Sequence, residues 1–315
     1  MPPEADPRPV VTLGAAGFIG RALVGHLVAQ GFAVRAVTRT ATAFAPPVEV
    51  RVAGTLDPRS DWHGLLSGAR AVIHLASRAH APPGDAAWLA TERDTAAAIA
   101  AAATAAGVER TILLSSIKVL GETTTERPFS ATSQPDPRDA YGRAKLAIET
   151  AMRRHGAPGL TIVRPPLVYG PEVKGNFRAL LRWIDRRVPL PLAAIRNRRS
   201  FVFCDNLTAL IATALSHPAA AGQIFLVRDD DEIGTPQLVR EIARRLGRKA
   251  RLFPAPAWLL RAATGDRLVG SLSIDDGATR ARLGWRPPFS LADGLDAACR
   301  WFVDAEGARA RASRL

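Results

Sequence analysis

The chain has 315 residues, 47% hydrophobic and 23% charged, an ordinary globular balance that allows one large domain or two unequal ones. Two cysteines, Cys204 and Cys299, are too few for a disulfide framework and lack metal-ligand spacing, so no metal site is expected and a reducing, cytoplasmic setting fits best. No apolar run approaches the roughly 20 residues of a membrane span, and the net charge of +13 is carried by scattered arginines without a nucleic-acid-binding motif, which argues against nucleic acid as a partner.

Residues 1–7 read as a flexible leader, proline-rich and unlike a signal peptide. Val10 to Leu13 is a short apolar run leading into Gly14-Ala-Ala-Gly-Phe-Ile-Gly20, after which Leu23, Val24, Leu27 and Val28 recur at helical spacing. This is strand, glycine turn, helix. Gly14 permits the tight turn, Gly17 lets backbone approach a pyrophosphate, and Gly20 allows close packing of helix on strand, with the phosphates at the helix N-terminus. A second strand, Ala33 to Val37, ends at Thr38 and Arg39, where a dinucleotide fold places an acid for the ribose 2′-hydroxyl. A cation beside a hydroxyl suits a 2′-phosphate, which favours NADP(H) and leaves NAD(H) open.

Val48 to Val52 and Ala71 to Leu75 read as the third and fourth strands, and the alternation with helices implies a parallel sheet. His74 reads as a packed histidine, with no second ligand at metal spacing. The alanine-rich stretch 86–106 reads as a structural helix on the sheet, ending at Gly107. A fifth strand, Thr111 to Ser116, turns from apolar to hydroxyl at its C-terminal end, where open α/β sheets bind ligands. A Pro/Ser/Thr-rich loop, 123–137, leads to the helix bearing Tyr141 and Lys145, four residues apart on one helical face. With two tyrosines and four lysines in the chain, this pair has odds of only about 2–3% by chance.

Gly14-x-x-Gly-x-x-Gly20, Ser116 after the fifth strand, and Tyr141-x-x-x-Lys145 together resemble the extended short-chain dehydrogenase/reductase superfamily over most of the chain. Ser115-Ser-Ile-Lys-Val-Leu-Gly-Glu122 is similar to a UDP-glucose 4-epimerase-like subgroup that includes 4-keto reductases forming UDP-N-acetylquinovosamine. The resemblance implies a catalytic trio of Ser116, Tyr141 and Lys145, and cofactor contacts from Gly14, Gly17, Phe18, Ile19, Gly20, Arg39, Leu75, Ala76, Tyr141 and Lys145. It further implies a UDP-sugar substrate, with a homodimer left open. Lys118 is read either as a contact to substrate phosphate or nicotinamide ribose, or as a side chain snorkelling from its loop. Thr161 to Pro171 resembles the family's sixth strand, broken at Pro165, with Tyr169 read as a packing residue. Asn176 resembles a contact to the nucleotide diphosphate, and Arg199 the arginine that pairs with substrate phosphate through its planar fork.

Leu207 to Leu215 reads as a helix, Gln223 to Val227 as a strand, and Thr235 as a capped helix start. The expected fold is α/β: a Rossmann-type, doubly wound parallel sheet over 8–170 with 200–228 returning to it. A smaller, discontinuous substrate domain would comprise 171–199 and 229–304, with 305–315 a flexible basic tail. The expected chemistry is hydride transfer between nicotinamide and a sugar carbon, with Tyr141 as acid/base, Lys145 stabilising its phenolate and Ser116 holding the substrate oxygen. NADPH-dependent C4 reduction of a UDP-4-keto-6-deoxy-hexosamine for surface polysaccharide leads, and a UDP-hexose 4-epimerase with tightly held NAD is the alternative. Absence of an acid after Ser116 disfavours a dehydratase, and a non-catalytic cofactor-sensing module is a distant third.

Overall fold

A computed structural model of the protein describes residues 6–76 and 86–312. The first half alternates short apolar strands with helices: β1 (Val10–Leu13), α1 (Phe18–Ala29), β2 (Val34–Thr38), β3 (Glu49–Val52), α2 (Trp62–Leu66), β4 (Ala71–His74), α3 (Ala86–Ala105), β5 (Arg110–Leu114) and α4 (Ala140–Arg154). Then come β6 (Thr161–Arg164), β7 (Leu167–Tyr169), α5 (Gly175–Asp185), β8 (Phe201–Phe203), α6 (Cys204–Ser216) and β9 (Ile224–Leu226). The chain closes with α7 (Thr235–Arg245), α8 (Ala257–Thr264), α9 (Asp266–Val269), α10 (Gly277–Leu283) and α11 (Leu291–Ala312).

Seven strands pair in parallel in the order β3-β2-β1-β4-β5-β6-β9. Parallel strands need crossovers, and the crossovers put helices on both faces, so β1, β4 and β6 are buried at every position. On one face Leu23 and Leu27 of α1 join Leu207 and Ile211 of α6; on the other, Leu66 of α2, Ile99 of α3, and Ile148 and Met152 of α4 close the core. Each such fully buried side chain contributes roughly 1.5–3 kcal/mol. The sheet has two edges, β3 and β9, and β3 blunts itself with Glu49 and Arg51.

A second core gathers around Tyr169, with Phe177 and Leu181 of α5, Phe201 and Phe203 of β8, Leu238 and Ile242 of α7, and Leu295 and Phe302 of α11. Tyr169 is fully buried there, stacked on Phe177, and its hydroxyl donates to Asp229 at 2.8 Å. That is the packing role its sequence context suggested.

The structure departs from the sequence reading in five places. The fifth strand stops at Leu114, leaving Ser115 and Ser116 beyond the sheet. The sixth strand breaks at Pro165 as expected, Pro165 and Pro166 lacking N–H groups, but its continuation, β7, leaves the large sheet and pairs with β8. Thr235 is inside α7, whose N-cap is Gly234; the cap acceptor comes from afar, as Asn197 Oδ1 takes the Thr235 N–H at 2.8 Å. Residues 277–285, expected in the substrate domain, pack instead on the large sheet: Thr279 donates to the Leu226 carbonyl at 2.7 Å, and Leu283 and Trp285 join the core cluster that includes α1 and α6. Finally, α11 continues through the expected basic tail to Ala312.

Candidate active site

Strand order reverses at β1 and β4, and open α/β sheets bind ligands at the carboxyl edge of such a point. Register places Leu13 level with both Val37 and His74, so Gly14, Thr38 and Leu75 emerge side by side. Gly14 turns there with φ +87°, and a Cβ on it would meet Ala76 N at 2.9 Å. The turn therefore requires glycine on both counts. A Cβ on Gly20 would strike the Gly14 carbonyl oxygen at 2.4 Å, so α1 packs directly on the turn itself. Gly17 is the N-cap of α1, followed by Phe18 and Ile19; no side chain caps the helix and its first turn holds no acid. Those N–H groups and the positive helix end suit a diphosphate. Thr38 is buried at the end of β2, and Arg39 beyond it is exposed. The first acid after them, Glu49, is engaged by Arg35 at 2.8 Å and Arg51 at 2.7 Å. The edge thus fits a nicotinamide dinucleotide, and among the described residues the end of β2 presents a cation, with its nearest following acid already paired.

Two strands along, Ser116 follows β5 and caps a single 3-10 turn, Ile117–Val119, its Oγ accepting the Lys118 N–H at 3.2 Å. That turn lies against the start of α4: a Cβ on Gly142 would meet the Lys118 carbonyl oxygen at 2.5 Å. The glycine after Tyr141 is thus what lets Ser116 and Tyr141 meet. Asp139 caps α4 by accepting the Gly142 N–H at 2.7 Å, and its other oxygen takes Lys118 Nζ, which also binds Glu122 at 2.9 Å. Lys118 is a clamp between the turn and the helix, not a snorkelling side chain.

Tyr141 and Lys145 lie one turn apart on α4, with Lys145 Nζ 5.8 Å from the Tyr141 ring centre. Burial pushes the Tyr141 phenol up to about 12, helped by the nearby Asp139 and Glu92 carboxylates and opposed by a hydrogen bond with Ser116. Lys145 is 2% exposed and donates to the Leu114 carbonyl at 2.9 Å. Burial lowers its pKa to about 8, against the pull of Glu92 and Glu149. His74, buried at the end of β4, is pushed down to about 3, first by burial and then by the Lys145 charge. It is a neutral, packed neighbour.

Sequence reasoning missed a second layer beneath the pair. Glu149, one turn beyond Lys145, forms a buried ion pair with Arg164 of β6 through Nε at 2.9 Å and Nη2 at 2.6 Å, and Ser115 donates to the same carboxylate. Continuing the four-residue spacing from Tyr141 through Lys145 leads to Glu149 and could have found it. Glu92 was hidden in the alanine-rich helix, yet it falls in the stripe of Trp88, Thr95, Ala96 and Ile99 that α3 buries. That helix faces the site as well as the sheet.

Of the expected substrate residues, Arg199 is partly buried, donates to the Gly270 carbonyl at 2.8 Å and interacts with Glu122, which joins it to the Lys118 clamp. Burial lowers its pKa and Glu122 works against that. Asn176 is exposed in the first turn of α5, beside Phe177, which points into the second core. No group of three or more metal-ligating side chains occurs among the described residues, and none of their helices is long and apolar enough to cross a membrane.

The model of the NAD dependent epimerase/dehydratase family matches residues 10–227. The chain is 34% identical to a UDP-glucose 4-epimerase of Vibrio cholerae, over 95% of this chain and 97% of that one, and 32% identical to a ceramide reductase of Caulobacter vibrioides, over 80% and 75%. The fold superposes with a TM-score of 0.79 on a UDP-glucuronic acid 4-epimerase from Bacillus cereus solved with NAD, at 18% identity over 94% of this chain and 99% of that one. A glycine turn at the switch point, Ser116 beyond β5, Tyr141 above Lys145 and the family match lead to one conclusion: the chain belongs to the NAD dependent epimerase/dehydratase family, enzymes of the extended short-chain dehydrogenase/reductase type.

Proposed function

We propose that the protein reduces the C4 ketone of a UDP-4-keto-6-deoxy-hexosamine with NADPH, for surface polysaccharide. The observation that supports this reading is the end of β2, where exposed Arg39 follows buried Thr38 and the next acid, Glu49, is already paired with Arg35 and Arg51, an arrangement suited to a 2′-phosphate. Burial also raises the Tyr141 phenol, which keeps its proton available to give. A reduced nicotinamide cofactor held at the switch point would supply the hydride. Gly14, Gly17, Phe18, Ile19, Gly20, Leu75 and Ala76 would hold it, with Arg39 on a 2′-phosphate, which is why NADP(H) is preferred to NAD(H).

Ser116 holds the carbonyl oxygen against Tyr141, which donates its proton as the carbon is reduced. Lys145 then faces the phenolate as a cation, and Glu149 and Glu92 keep it charged despite its burial. Arg199 and Asn176 would bind the diphosphate, while Lys118 orders the turn that carries Ser116.

The alternative is a 4-epimerase, favoured by the 34% identity to a UDP-glucose 4-epimerase. An epimerase must first remove a proton, which needs a positive nicotinamide to bring the phenol down. NADPH consumption with the keto sugar tests the choice. Oxidation of NADPH supports the reductase; no oxidation, from protein that purifies with NAD held tightly, would overturn it in favour of the epimerase.

A further inference from the structure

The second domain leaves an apolar face uncovered. Trp258 is 71% exposed, Leu259 50% and Phe253 46%, and Pro254, Pro256 and Ala257 are exposed between them. Leu260 turns inward to the second core, so α8 is anchored on one side while Trp258 and Leu259 stand out on the other. Single exposed apolar residues need no explanation, but six in a run of seven mark a surface that something covers.

The rim of this face is cationic. The Leu190 N–H donates to the Arg251 carbonyl at 2.8 Å and the Ala193 N–H to the Phe253 carbonyl at 3.1 Å, so 186–193 lies beside 249–253. Arg186, Arg187, Lys249 and Arg251 are thereby exposed together next to Val188 and Phe253. The sequence has no Asp or Glu from Arg186 to Cys204, nor from Lys249 to Gly265. The flanking cations are neutralised, Arg248 by Asp185 at 2.9 Å and Arg261 by Asp266 at 2.6 Å, whereas these four form no ion pair among the described residues. A second copy seated here by two-fold symmetry would set like charges against each other. A bilayer would not: indole, leucine and phenylalanine settle at headgroup depth while the cations meet lipid phosphates.

We infer that α8, with 186–189 and 249–254, is a seat for an anionic lipid bilayer. The chain beyond the seat leads back toward Ser116: Gly270 after α9 lies against Thr123 of the loop following Ser116 and accepts the Arg199 guanidinium at 2.8 Å. The enzyme would work at a membrane surface without spanning it.

Co-sedimentation of the full chain with vesicles of phosphatidylglycerol and phosphatidylcholine in equal parts, against pure phosphatidylcholine, tests this independently of any substrate. Binding only to the anionic vesicles, with a blue shift of tryptophan emission absent in Trp258→Ser, is expected. Arg187→Ala and Arg251→Ala should each weaken binding about fivefold, and added salt should weaken it further. These side chains are exposed, so unchanged melting temperatures of the variants verify folding, with Leu259→Ser as a second apolar variant. No preference for anionic vesicles overturns the inference. So does a dimer in lipid-free sedimentation that Trp258→Glu converts to monomer, because a second copy would then cover the face.

Discussion

Replacing Lys145 by methionine should abolish activity and make the protein more stable. In the unfolded chain a lysine titrates near 10.5, whereas burial under Tyr141 brings Lys145 to about 8, so at pH 7 folding must hold a charge where the surroundings disfavour it. At about 1.4 kcal/mol per pH unit, that gap is worth about 3 kcal/mol. Methionine fills a similar volume without charge but loses the hydrogen bond to the Leu114 carbonyl, worth about 1 kcal/mol, which leaves a net gain of about 2 kcal/mol. For 315 residues that raises the melting temperature by about 3 °C. The sign with pH is also fixed. The unfolded state binds more protons than the folded one between about pH 8 and 10.5, so the wild type gains stability as pH rises through that window, and the advantage of Lys145→Met should shrink there. Thermal unfolding followed at about one-unit steps from roughly pH 7 to pH 10 reads both effects. A variant no more stable at pH 7, with a difference from wild type independent of pH, would refute the reasoning.

The pH dependence of reduction follows from the same two groups. Since Tyr141 stays protonated to about 12, kcat/KM should be level below pH 8 and fall about tenfold per pH unit above it as Lys145 loses its charge; a profile rising to a plateau in alkali would instead mean that the phenolate is the active form. Glu149→Gln leaves Arg164 buried with half its partner, so denaturant unfolding should show a loss of about 3–5 kcal/mol, and the alkaline limb should move below pH 8. Gly142→Ala forces the 3-10 turn away from α4, separating Ser116 from Tyr141; kcat should drop about a hundredfold with NADPH affinity, measured by calorimetry, unchanged.

Much of this was legible in the sequence wherever the signal was local. The apolar runs of β1 and β4 and the glycines at 14, 17 and 20 sit within a few residues of what they determine. Tyr141 and Lys145 declare their relation through helical spacing alone. What was not legible depends on partners far along the chain. Gly142 looks like any helix glycine until the Lys118 carbonyl is brought against it. Arg164 reads as a stray cation in a buried strand until Glu149 comes across from α4. Leu283 and Trp285 belong to the large core only because Thr279 ties α10 to β9. Lys118 resisted assignment for the same reason: Asp139, its main partner, also caps the next helix, and neither task shows without the other.

The most direct measurement is to follow deuterium from NADPH labelled at the transferable position into the sugar. One deuterium at C4 of a 6-deoxy product is expected for each NADP formed, with that transfer lost in Tyr141→Phe while cofactor binding stays intact. An unlabelled C4 epimer of an added UDP-hexose, formed with no net change in cofactor, would contradict it.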